Sequence, residues 1–180
     1  VTVERQIDRP RLLKAISEIL AAVGEDPERE GLAQTPRRVA DMYLELFSGL
    51  DEDPASHIEA AIFNEPGSNG IVTVSNIAFN STCEHHLLPF RGTVDISYMP
   101  GEGRVVGLSK LARVVDCVAR RPQVQERMTR QILEAIAESS LAPEGVSVSI
   151  EAEHLCMSVR GVLKEGAITS TSARSGSLAD

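Results

Sequence analysis

The sequence predicts an α+β protein with an antiparallel sheet. Three observations carry that prediction. Two segments with apolar residues at helical spacing open the chain, stretches of alternating residues follow, and a second helical pair lies between the strand groups. The order helix, helix, strands, two helices, strands reads as α+β.

Each element has its own signal. Residues 10–23, "PRLLKAISEILAAV", put Leu12, Leu13, Ile16, Ile19, Leu20 and Val23 on one helical face, and Gly24 is placed to stop the helix. "QTPRRVADMYLELFSG" has Thr35 as N-cap and Pro36 at the first helical position. Val39, Met42, Tyr43, Leu46 and Phe47 form its expected buried stripe, and Gly49 ends it. A loop rich in Asp, Pro, Asn and Gly runs from "DEDP" to "NEPGSNG" and divides a helical extension, residues 1–66, from the rest.

"IVTVSNIAF" reads as a strand. "GTVDISYMPGEGRVVGL" reads as a hairpin turning at Pro100–Gly103. Ser109 is expected to cap the helix "KLARVVDCVARR", which Pro122 interrupts. A further helix carries Val124, Met128, Ile132, Ala135 and Ile136 on one face. "GVSVSIEAEHLCMSVRGV" reads as one long alternating strand and "GAITSTSAR" as a short last one. The Ser- and Gly-containing end, 173–180, reads as a disordered tail.

Composition narrows the function. The 180 residues carry a net charge of -8, so no bulk positive field favours nucleic acid. No apolar run is long enough to span a membrane, and no leader pattern is visible, so neither partner class is expected. Three widely spaced cysteines do not suit a disulfide framework and point to a reducing cytoplasm.

The chemistry gathers at "STCEHHLLPF", residues 81–90. Cys83 and His86 stand in C-x-x-H spacing, which lets a tight turn close both on one metal. Thiolate with imidazole suits zinc. On the long strand, a period of two puts Ala152, His154, Cys156, Ser158 and Arg160 on one face, with Leu155, Met157 and Val159 on the other as core. Cys156 is then the natural third ligand. Three ligands suit a catalytic zinc with an open position; a closed structural zinc, with His85 or His154 as fourth ligand, stands equally at this point. Cys117, in an apolar helix, reads as a small buried hydrophobe. Lys110 and Arg113 share a helical face behind Ser109, and with Arg160, Arg37 and Arg38 they suggest a phosphate-bearing substrate in an otherwise acidic protein.

Together "STCEHHLLPF", "VVGLSKLARVVD", "RRPQVQERMTRQI" and "EAEHLCMSVRGV" resemble GTP cyclohydrolase I, as does "GEDPEREGLAQTPRRVADMY". The likeness runs from about residue 10 to about 172. It implies a T-fold over 67–172, a sheet with two helices on one face, assembled by symmetric subunits into a tunnel. It also implies a homodecamer of two pentamers with shared sites. The implied reaction opens the imidazole ring of GTP at C8, releases formate, rearranges the ribose and yields 7,8-dihydroneopterin triphosphate, at the head of folate and pterin synthesis.

The resemblance further implies Zn2+ on Cys83, His86 and Cys156. It makes His85 and His154 proton carriers, whose imidazoles titrate near working pH. Ser109 lies near the ribose and triphosphate and is grouped with the catalytic residues. Glu126 and the backbone near Gln125 become a guanine clamp, since a carboxylate can accept from N1–H and the exocyclic amine together. Lys110, Arg113, Arg160 and Arg38 become phosphate contacts.

Asp41 departs from the family, which usually has a cation one helical turn after Arg38. It should repel phosphate unless it turns away or pairs with Arg37 or Arg38, and it motivates a second reading, a paralogue with altered phosphate recognition. A binding protein with structural zinc is the third. Glu84 is expected to make a hydrogen bond that supports the motif.

Overall fold

The computed structural model describes residues 7–179. Residues 1–6 of the expected extension and Asp180 of the expected tail lie outside them.

Two helices open the chain, α1 (Arg9–Ala22) and α2 (Thr35–Leu46). Asp8 caps α1 by accepting from the Arg11 N–H, and Gly24, at φ +90°, follows its end. α2 begins at Thr35 itself, with Gln34 at the cap and no side-chain cap bond. The two helices pack mainly on each other, so their apolar faces are only partly covered. Ile16 and Ala40 are buried, whereas Ile19, Val23 and Met42 are exposed. The buried stripe expected on α2 is thus half-buried in the single chain. A 3₁₀ turn, Ser48–Asp51, leads to α3 (Pro54–Glu59).

The strands are β1 (Ile62–Asn64), β2 (Val72–Cys83), β3 (Pro89–Met99), β4 (Arg104–Val106), β5 (Pro122–Gln123), β6 (Gly145–His154) and β7 (Ile168–Gly176). Five form one sheet in the order β5-β2-β3-β6-β7, antiparallel except for the parallel pair β2–β5. Helices α4 (Leu108–Ala119) and α5 (Gln125–Ala137) cover one face. Leu111, Val114, Val118, Met128, Ile132 and Ile136 meet Val94, Ile96, Val146, Val148 and Ile150 in the core. Each fully buried aliphatic side chain there contributes roughly 1.5–3 kcal/mol. A short helix, α6 (Leu155–Ser158), completes the elements.

Further expectations change, beginning with the expected loop, which holds α3 and β1. The 92–108 stretch is not a hairpin. Both edges of β3 are already taken by β2 and β6, so β4 pairs with β1 instead, and the Val106 N–H donates to the Tyr98 hydroxyl. Helix α4 is capped by Gly107, and Ser109 is its second residue with no capping bond.

The long alternating strand stops at His154, paired with Phe90. The next residue of β3 toward that end is Pro89, which has no N–H to continue the ladder, and the chain turns into α6. The face carrying Ala152 is the core face, with Val146, Val148 and Ile150, while Val159 on the supposed core side is 57% exposed. Finally, residues 173–176 extend β7 and pair with β6, and Ser177 donates to the Glu144 carbonyl. The expected tail is therefore ordered through these positions.

Candidate metal centre and active site

The β2–β3 connection is short and tightly bonded. Cys83 donates to the Leu88 carbonyl, and Leu87 and His86 both donate to the Cys83 carbonyl. Leu87 takes a left-handed conformation, φ 52°, to close the turn. β5 braces it from the side, since Cys83 is in register with Gln123 and the Glu84 N–H reaches the Gln123 carbonyl at 3.0 Å. This geometry brings Cys83 Sγ to 3.8 Å from His86 Nδ1.

The third member arrives by a route the alternation did not describe. α6 turns immediately after β6 and carries Cys156 in. One ligand atom from each of Cys83, His86 and Cys156 lies within 4.8 Å of the others. Two sulfurs and an imidazole nitrogen, with Cys83 only 6% exposed, are a donor set suited to a thiophilic divalent metal. Burial first, and then the neighbouring Cys83, push the Cys156 thiol up. A bound cation would reverse that preference by favouring thiolate. Arg160 Nη1 sits 3.3 Å from His86 Nε2, so the guanidinium borders the cluster.

His85 diverges from its neighbours. Its side chain is 65% exposed and its Nε2 lies 3.8 Å from Glu84. Glu84 itself is held by both terminal nitrogens of Arg127, at 2.5 and 3.0 Å. The Arg127 hydrogen bond keeps the Glu84 carboxyl below its ordinary range, against the opposing effect of desolvation. His154 stacks on Phe90, with ring centroids 4.5 Å apart and an interplanar angle of 4°. Its Nε2 is 2.8 Å from Gln125 Oε1. Burial lowers its pKa, while the charge of nearby Glu126 acts in the opposite sense. Glu126 sits exposed in the first turn of α5. Gln125, by contrast, is buried with its side chain turned inward.

The other sequence-predicted residues do not join this group within one chain. Among the described residues, no side-chain hydrogen bond or ion pair links Ser109, Lys110, Arg113 or Arg38 to the cluster. Arg113 lines a separate cavity of about 330 Å³ with Glu52, His57 and Cys117. Those last three also place ligand atoms within 4.8 Å of one another, but the Arg121 guanidinium lies 3.4 Å from Cys117 Sγ and supplies a positive charge there already. Asp41 pairs with Arg9 at 2.7 Å, not with Arg37 or Arg38.

Arg127, Phe90, Thr129, Thr169 and Thr171 were not singled out from sequence. Arg127 adjoins Glu126 inside "RPQVQER", and that was its only available signal. A threonine in an alternating strand carries no mark of the partner it will meet.

A family model for GTP cyclohydrolase I matches residues 12–180. The chain is 53% identical over 176 residues to GTP cyclohydrolase 1 of Bacillus subtilis, which covers 98% of this chain and 91% of that protein. It is 52% identical over 171 residues to the Clostridioides difficile enzyme, covering 95% and 89%. To that of Listeria monocytogenes serotype 4b it is 54% identical over 171 residues, with the same coverage of 95% and 89%. Among solved structures, the apo archaeosine synthase QueF-Like superposes with a TM-score of 0.50 at 19% identity. That match covers 63% of this chain and 99% of that one, and it bears on the fold alone. Identity above one half along nearly the whole length, on a fold that brings Cys83, His86 and Cys156 together, places the chain in the GTP cyclohydrolase I family, whose GTP cyclohydrolase activity it carries.

Proposed function

We propose that the enzyme is zinc-dependent and converts GTP to 7,8-dihydroneopterin triphosphate and formate. The observation that carries this reading is the Cys83–His86–Cys156 donor set, with His154 two residues from Cys156 and Glu126 close enough for its charge to act on His154. Cys83, His86 and Cys156 would hold the zinc. When bound, zinc supplies Lewis-acid activation of water near neutral pH.

The chain's own groups do the rest. His85, exposed beside the cluster, delivers a proton to the imidazole nitrogen of the purine as the ring opens at C8. His154 takes part in the proton transfers that follow. Glu126 accepts from guanine N1–H and the exocyclic amine, which adenine cannot match, and the α5 backbone at Gln125 flanks it. Ser109 and Lys110 meet the ribose and triphosphate, and Arg113, Arg160 and Arg38 bind phosphate oxygens. The C8 carbon leaves as formate after two hydrolyses, and closure of the pterin ring on the rearranged ribose returns one water. The Arg9 pairing of Asp41 partly neutralises the carboxylate that argued against ordinary triphosphate binding.

Of the phosphate residues only Arg160 borders the cluster, whereas Lys110, Arg113 and Arg38 make no side-chain hydrogen bond to it among the described residues, which supports a site completed by a neighbouring subunit. The partly covered faces of α1 and α2 and the free outer edge of β7 support assembly, and we take it as a homodecamer of two pentamers enclosing a tunnel. Among the described residues no helix is long and apolar enough to cross a membrane. The composition and the absence of a positive field favour a cytoplasmic enzyme without a nucleic-acid partner.

The reading is tested by incubating zinc-loaded protein with GTP, GDP and guanosine, then assaying formate and, after oxidation, pterin fluorescence. GTP should be turned over far better than the other two. Formate release from none of them removes the proposal.

A further inference from the structure

We propose that Gln125 is a positioning residue whose locked side-chain amide holds His154 as its Nε2–H tautomer, leaving Nδ1 as the ring's unprotonated nitrogen. The proposal rests on the reading of His154 as a proton carrier.

Gln125 is 2% exposed and sits at the first turn of α5. One end of its side chain faces the Ile150 carbonyl at 3.1 Å, the Thr169 carbonyl at 2.9 Å and Thr171 Oγ1 at 3.1 Å. Two of these three are backbone carbonyl oxygens, which only accept. The atom facing them must therefore be the NH2 group. An inverted amide would press its oxygen against two others, so the assignment follows from the network.

Thr171 is itself directed. Thr129 Oγ1 donates to the Gln125 backbone carbonyl at 2.8 Å, which commits its only proton. The 2.7 Å contact between Thr171 and Thr129 hydroxyls then has Thr171 as donor. Thr171 Oγ1 is left to accept from Gln125. The two N–H groups of the amide are thus shared among three acceptors, all of them on the same side.

The far end of the amide is an oxygen, and an oxygen only accepts. It lies 2.8 Å from His154 Nε2, so that nitrogen carries the hydrogen. A neutral imidazole has one N–H, so Nδ1 is the base. Phe90, fully buried, stacks on the ring and fixes its plane, while Gln125 fixes its rotation within that plane. The lock draws on α5, β6 and β7 together. β7 therefore has a task at the active site as well as in the sheet.

The test uses the zinc-loaded enzyme labelled with 15N-histidine. Two-bond 1H–15N spectra report the tautomer of each ring, and the His154 signals are those missing from His154→Asn. The expected result is a protonated Nε2 and an unprotonated Nδ1 in the wild type. In Gln125→Met the pattern should shift toward a tautomer mixture. Its kcat should fall about 10- to 100-fold, as for loss of an orienting partner at other metal sites, with KM for GTP and bound zinc near wild type.

Thr171→Val gives a second probe that keeps the core volume, and it should lower kcat with recovery in Thr171→Ser. An Nδ1–H tautomer in the wild type overturns the proposal, as does an unchanged spectrum and kcat in Gln125→Met. Should Gln125→Met fail to fold, the wild-type spectrum and the threonine pair still decide. A fully active His154→Asn would instead overturn the proton-carrier reading, while the tautomer measurement stands on its own.

Discussion

Glu84 shows what single residues contribute around the metal cluster. It lies between Cys83 and His85, and Arg127 grips both of its oxygens from α5. This ties the ligand turn to a helix that also carries Gln125 and Glu126. Arg127→Ala should therefore loosen the turn without removing a ligand. Zinc affinity, read by competition with a chelator, should drop about 10- to 100-fold; affinity equal to wild type would show that the turn is held by its backbone alone.

Cys83 and His86 were legible because their spacing encodes a turn that a metal can close. Arg127 was not, because its partner lies 43 residues away. Cys156 was reached through an assumed alternation that in fact ends at His154, two residues earlier. The residue is at the cluster because α6 turns there, and Pro89 on the facing strand helps end the ladder.

At the scale of elements, the longer strands were readable, whereas β1, inside the expected loop, and the two-residue β5 were not, and neither was the pairing. The alternation in β3 and β4 says nothing about which edges are free, so only the completed sheet shows β4 joined to β1. Gly92 is one place where the sheet makes a sharp demand on sequence. A Cβ there would sit 1.8 Å from the Glu151 carbonyl oxygen, against the facing strand. Gly92→Ala should separate β3 from β6 and destabilise the fold by about 1–3 kcal/mol, the range for overpacking. Denaturant unfolding checks this, and an unchanged midpoint would contradict it.

Helix α3 is fastened differently. Glu59, at its end, accepts from the Ser140 hydroxyl and N–H, and these bonds hold its carboxyl below the usual range despite some desolvation. A depressed carboxyl stabilises the fold above the unfolded value of about 4.3. That contribution is lost as pH falls through the lower folded value. Wild type should thus exceed Glu59→Gln in stability at neutral pH, and the gap should close in acid. A gap constant with pH would assign the Glu59 contribution to packing.

For the whole molecule, the sequence resemblance reached further than the residue patterns did. α+β class, the helical pair at the start and the core of α4 and α5 follow from periodicity. How the strands pair does not, because pairing depends on which edges the rest of the chain has already taken. β7 offers nine residues of outer edge, and Ile19 and Val23 stay exposed on α1. Sedimentation should show one species of ten chains. A stable monomer with full activity would mean that the phosphate residues reach the cluster within one subunit.

The central claim is that this chain hydrolyses the purine of GTP at C8 through a centre held by Cys83, His86 and Cys156. Its most direct measurement supplies GTP labelled with 13C at C8 to the zinc-loaded wild type and to Cys156→Ala. The wild type should release one labelled formate for each GTP consumed, and the variant should show neither turnover nor tightly bound zinc. Label retained in the product, or a Cys156→Ala enzyme that keeps both zinc and formate release, would contradict it.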